Sequence, residues 1–90
     1  MQPTMVRVVA RSLTRYPEFV GKGGEDVEQH LYLCEDVWRA HQTPNTTKLI
    51  EFQTTLWDKA LRWFIKWIDA NTNVGIDLVK QEFIHEFKLQ

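Results

Sequence analysis

Cysteine is nearly absent from this chain. Cys34 is the only one in 90 residues, so no internal disulfide can staple the fold. That fits a reducing compartment, and the expected location is cytoplasmic. Proline and glycine are scarce too, and three of the four glycines fall in one loop, Gly21-Lys22-Gly23-Gly24. The remainder is free to run as regular elements. No run approaches the ~18 apolar residues of a membrane span. The start lacks the long apolar core of a signal peptide. Cys-x-x-Cys and His-Glu-x-x-His are missing, and the glycine loop has no Lys-Ser/Thr to make a phosphate cradle.

What the chain does have is tryptophan in one place. Three of its four tryptophans lie between Leu56 and Ile68. At about 100° per residue, Asp58, Lys59, Arg62 and Lys66 share one sector of a helix roughly 100° wide. The rest of the circumference is apolar, the reverse of an ordinary surface helix. Leu56, Ala60, Trp63 and Trp67 lie opposite the polar sector. Trp57, Leu61, Phe64 and Ile68 form a second apolar face, with Ile65 at its border. Either both faces are core in a small bundle, or the second accepts a peptide or another subunit.

Helical periodicity recurs elsewhere. A first helix is expected from about Glu25 to His41, with Val27, Leu31, Cys34 and Trp38 as its stripe and Glu35 paired to Arg39. Glu25, Asp26 and Glu28 suit its positive N-terminal end. Thr43 and Pro44 read as N-cap and first-turn residue of a second stretch, about Pro44 to Ala70. That length predicts a kink or break near Thr54–Asp58. A last helix follows Asn71–Gly75 from about Ile76, with Ile76, Val79, Phe83 and Phe87 inward. The expected fold is all-α: a small bundle of about four helices, residues 16–90, preceded by an arm, residues 1–15.

Charge is uneven. Residues 1–24 carry a net +3 and residues 25–90 a net −4. In the arm, Val6, Val9 and Leu13 fit helical spacing, although Val6, Val8 and Ala10 also alternate as in a strand. Arg7, Arg11 and Arg15 recur at i, i+4, i+8 and are candidate phosphate contacts. No RNA- or DNA-binding motif accompanies them, so a solvated arm or one docked on another subunit is the leading expectation.

Enzymatic chemistry finds little footing. His30 and Cys34 share a helix face and His41 lies beyond, but a tetrahedral metal site lacks a fourth ligand. A packed thiol and two partly exposed histidines are the simpler expectation. A cysteine nucleophile needs an adjacent base and an orienting group, and Cys34 lies on the apolar stripe, where a thiol behaves as a small hydrophobe. No cofactor is expected.

Three segments resemble retrotransposon Gag capsid domains. Tyr16-Pro17-Glu18-Phe19-Val20-Gly21, followed by Asp26-Val27-Glu28-Gln29-His30-Leu31, is similar to their opening, proline-x-phenylalanine-x-glycine and then a helix. Leu56, Ala60 and Trp63 match the central L-x-x-x-A-x-x-W. Phe83 and Phe87 match a closing F-x-x-x-F. The match covers about residues 16–89. The family often has glycine where this chain has Asp58, tryptophan where it has His30-Leu31, and serine-tryptophan where it has Gly75-Ile76. The resemblance implies the N-terminal capsid lobe of a gypsy-type LTR retroelement, or of an Arc-like domesticated gene. It implies an α-helical bundle that self-associates into particles, contacting RNA mainly through later segments, with peptide capture in a groove as the alternative. A longer parent protein is expected to continue beyond Gln90. The expected core is Phe19, Leu31, Cys34, Trp38, Leu49, Phe52, Leu56, Ala60, Trp63, Phe83 and Phe87. The expected assembly surface is Val6, Val9 and Leu13 of the arm with Trp57, Leu61, Phe64 and Ile68.

Overall fold

A computed structural model describes residues 16–88. Four helices follow in order: α1 Val27–His41, α2 Asn45–Thr54, α3 Asp58–Ala70 and α4 Ile76–Lys88. The all-α expectation holds among the described residues. α4 packs on both α1 and α2.

Local chemistry sets the helix ends. Asp26 caps α1, its Oδ1 accepting the Gln29 N–H at 2.9 Å. The helix therefore begins two residues later than expected, because Glu25 turns back toward the glycine loop. Gln42 closes α1 with a left-handed φ of 51°. Thr43 N bonds Trp38 O and Gln42 N bonds Arg39 O, the paired bonds of a Schellman stop. At α2 the cap is Pro44 rather than Thr43, one residue later than expected, with no side-chain cap bond. Glu35 does not pair with Arg39. It takes the Lys80 ammonium of α4 at 2.5 Å, while Arg39 pairs with Asp36 at 3.3 Å.

The expected break falls at Thr55–Trp57. Two threonines weaken the helix there by turning their hydroxyls back on the chain. Thr54 Oγ1 donates to Glu51 O at 2.6 Å and Thr55 Oγ1 to Phe52 O at 2.7 Å. Trp57 is extended and Asp58 has a φ of 49°. The opened backbone is then filled by the segment Tyr16–Gly21, here called the strap. Phe19 N donates to Thr55 O at 2.9 Å, and Trp57 N donates to Phe19 O at 2.9 Å, giving a single parallel bridge between Phe19 and Leu56. Val20 O then accepts the Ala60 N–H at 2.9 Å. A helix leaves its first N–H groups without partners. At the start of α3 the Ala60 N–H is shared between Val20 O of the strap and Trp57 O, at 2.9 and 3.0 Å.

The strap is itself held at both ends. The Tyr16 hydroxyl donates to Glu51 of α2. Glu25 accepts the N–H groups of Val20, Gly21 and Lys22 at 2.9, 2.7 and 3.1 Å. Gly21 lies against α3 so closely that a Cβ would stand 3.0 Å from Ala60 N and 3.0 Å from Phe87 Cε1. Its φ of +87° excludes a side chain for a second reason.

Phe83 of α4 is the centre of the core. Its ring lies 4.8 Å from Phe19, 5.2 Å from Phe52 and 5.3 Å from Phe87, centroid to centroid. Around it Val27, Leu31, Cys34, Trp38, Leu56, Ala60, Phe64, Ile76 and Val79 are buried. Leu49, Trp63 and Phe87, expected as core, are only partly buried and pack against its edge.

Gly21 and Gly23 separate backbone from packing. Both have left-handed φ, but a Cβ at Gly23 meets nothing within 4 Å. Gly23→Ala is expected to cost about 1 kcal/mol from the backbone alone. Gly21→Ala adds overpacking of about 1–3 kcal/mol. Urea denaturation of the two variants measures the difference, and equal losses would refute the tight strap–α3 contact.

Candidate interaction surface

The break resets which residues of α3 face inward. Leu56 is buried but lies outside the helix, in the bridge to the strap. The bond from Ala60 N to Val20 O fixes Ala60 inward, and Phe64, one turn later, follows it at 2 % exposure. Phe64 is therefore core, not part of an accessible second face. Trp63 and Trp67 move to a flank. They stack on each other at 6.0 Å, and Trp63 lies 5.5 Å from Phe87.

The rest of the second face remains open. Trp57 is 50 % exposed and Ile65 51 %, while Leu61 and Ile68 are half-buried against the core. Ile50 of α2 is 67 % exposed, one helical turn before Thr54. Gln53, Thr54, Leu56, Trp57 and Leu61 line an open cleft of about 240 Å³. Ile50 was missed in the sequence because its helix offers no other exposed apolar residue at i+4 to mark a stripe. Val6, Val9, Leu13, Arg7, Arg11 and Arg15 lie outside the described residues.

His30 corrects the expectation of a partly exposed histidine: it is 3 % exposed. Its ring sits 5.3 Å from Phe19, 6.0 Å from Phe52 and 5.7 Å from Phe83. The Thr55 hydroxyl, already donating to Phe52 O, accepts from His30 Nε2 at 2.9 Å. The ring is thus neutral with its proton on Nε2, and Nδ1 has no partner. Burial pushes the His30 pKa down to about 4, against a smaller opposing pull from Glu25. Cys34 Sγ lies 3.8 Å from Nε2 and is fully buried, which pushes its thiol up to about 12. A nucleophilic cysteine needs the opposite shifts, a lowered thiol beside a basic imidazole. His41 is exposed, on the wall of a separate cleft of about 310 Å³ with Tyr16 and Glu51. Among the described residues, no three histidine, cysteine or carboxylate side chains are grouped to hold a metal ion.

Two further groups report on the strap. Burial and the Glu51 carboxylate push the Tyr16 phenol well above its usual value. The Trp38 indole N–H is near enough to oppose that shift, but not in hydrogen-bonding geometry. Burial works to raise Glu25, and its three backbone N–H partners outweigh it, holding the carboxyl below its usual value.

No known protein family, curated protein or solved structure matches the chain. No helix among the described residues is long and apolar enough to cross a membrane.

The His30 environment predicts acid sensitivity. The pKa is about 6.5 unfolded and about 4 folded, so between those values the unfolded chain binds more protons. Stability is complete above about pH 6.5 and falls by about 3 kcal/mol as pH drops to about 4. Glu25 adds its own loss only at lower pH, through the carboxylate range. His30→Leu is expected to flatten the upper window in urea midpoints taken between pH 7 and 4.5. An unchanged slope would refute the buried neutral imidazole.

Proposed function

We propose that this chain is a Gag-like capsid N-terminal lobe of cytoplasmic origin, whose role is homo-oligomeric assembly rather than turnover of a substrate. One observation carries the reading. The three segments that resemble the family, separated in sequence by residues 32–55 and 64–82, pack on one another. Phe19 of the first pairs with Leu56 of the second. Gly21 of the first touches Ala60 of the second and Phe87 of the third. Phe83 and Phe87 of the third lie 6.1 and 5.5 Å from Trp63 of the second. Residue types shared with the family are thus the ones that make the strap junction, where small size or ring shape is needed.

Asp58 adds support from a departure. The family often has glycine there, and here the φ is 49°, a region that favours glycine. The backbone needed is the same although the residue differs, and aspartate tolerates it better than most.

Shell assembly relies on weak contacts repeated many times. The exposed residues Trp57, Ile65 and Ile50, with half-buried Leu61 and Ile68, are the surface nominated for those contacts. In sedimentation experiments, the expected result is a monomer at micromolar concentration and reversible association at millimolar concentration, weakened by Trp57→Ala. A tight, obligate dimer at micromolar concentration counts against the proposal.

The cleft beside Trp57 favours a second reading, a domesticated lobe that captures a short apolar peptide. Peptide binding lost in Trp57→Ala, in a parent protein that still forms particles, would favour this reading over assembly. Phe64→Ala cannot serve in that test, because it opens a core cavity worth about 3–5 kcal/mol.

A further inference from the structure

We propose that the basic and indole-bearing flank of α3 binds single-stranded nucleic acid, with Lys59, Arg62 and Lys66 on phosphates and a base stacked on Trp67. The inference does not rest on the capsid reading, and it uses none of the residues nominated for assembly.

It starts from charge. At about 100° per residue, Lys59, Arg62 and Lys66 fall within a sector of α3 about 60° wide, over a rise of about 10 Å. All three are exposed, and none is in an ion pair with a described residue. Other bases are engaged: Arg39 by Asp36, Lys80 by Glu35 and Asp77, and Lys88 by Glu28, while Lys48 lies over the Trp38 ring. Asp58 and Asp69, the acids of the same helix, lie at one edge of the basic sector, beside Ile65. Like charges one turn apart repel. An anion bound across them relieves that repulsion.

The other edge of the sector is aromatic. Trp63 and Trp67 stack on each other at 6.0 Å, with their planes 22° apart. Trp63 is closed in further by Phe64, Phe83 and Phe87, at 6.4, 6.1 and 5.5 Å. Trp67 is partly exposed, and Trp63 is its one ring neighbour among the described residues. The stack therefore ends at Trp67, an indole braced on one face with no aromatic partner on the other.

Single strands are held by this combination: cations follow the backbone, and a fixed aromatic face takes a base. An acidic peptide satisfies the cations but has no use for the indole. A duplex offers phosphates but keeps its bases paired. An unpaired strand uses both edges of the flank.

Fluorescence anisotropy with a labelled short oligouridylate tests this on the full chain. The expected dissociation constant at low salt is about 1–100 μM, in the range of non-specific binding. Three phosphate contacts predict that log K falls against log salt with a slope of about −2. Combining Lys59→Gln, Arg62→Gln and Lys66→Gln, all at exposed positions, is expected to weaken binding at least about tenfold and to remove that slope. Trp67→Leu is expected to weaken binding about 5- to 100-fold with the slope unchanged, and Trp67→Tyr to restore it. Urea midpoints check that each variant is folded, and the triple variant carries the test if Trp67→Leu is not. Affinity unchanged in the triple variant overturns the proposal, because the phosphates are then held elsewhere. Unchanged affinity in folded Trp67→Leu, or a duplex bound as tightly, overturns it by removing the base stack. Polyglutamate bound as tightly as oligouridylate overturns it in favour of an acidic peptide.

Discussion

The fold depends on the insertion of a backbone into a broken helix. Between Thr55 and Trp57 the Thr55 carbonyl and the Trp57 N–H find no partner in α2 or α3, and buried peptide groups without partners are costly. The strap supplies them: Thr55 O takes the Phe19 N–H, Phe19 O takes the Trp57 N–H, and Val20 O takes the Ala60 N–H. Everything nearby is shaped to let that backbone in. Gly21 has no side chain, Ala60 presents only a methyl group, and Glu25 gathers the three N–H groups on the far side of the strap. The strap in return delivers Phe19 to the centre of the core, against Phe83.

This junction also explains how α3 is oriented. A continuous helix from Leu49 to Trp67 would put Leu56, Ala60, Trp63 and Trp67 on one inward line. The break frees the second half from that phase, and the strap bond at Ala60 sets a new one in which Phe64 points inward. Trp63 and Trp67 become the wall between α3 and α4 rather than the core itself. The apolar excess of the tryptophan-rich segment is thereby divided three ways: Ala60 and Phe64 inward, the stacked indoles to one flank, and Trp57, Leu61, Ile65 and Ile68 to the other.

Periodicity made the helices legible, and the position of the break followed from length alone. The capping at Asp26 and the stop at Gln42 lie where local chemistry announced a boundary. What the sequence hid were effects that need two distant segments at once. Phe64 reads as second-face until the Val20 carbonyl is known to hold Ala60. His30 reads as a helix-surface histidine until Thr55, twenty-five residues away, is seen to take its Nε2 proton. Glu35 has a good partner in Arg39 by spacing, yet α4 brings Lys80 closer than any helix neighbour. The candidate surface was half legible for the same reason. Trp57, Leu61 and Ile68 follow from the helical wheel, whereas the cleft beside Trp57 forms only where Gln53 and Thr54 of α2 meet Leu61 across the break.

His30 shows what the junction demands of its surroundings. The ring touches strap, α1, α2 and α4 together, through Phe19, Cys34, Phe52 and Phe83. A purely apolar residue there would fill the space but leave Thr55 with one partner fewer. The imidazole bonds the threonine that ends α2 and still presents a flat face to three phenyl rings. Its cost is an unpartnered Nδ1, buried where a proton is disfavoured. The site thus ties the register of strap and break to a single uncharged ring, and the integrity of the junction to the absence of that charge.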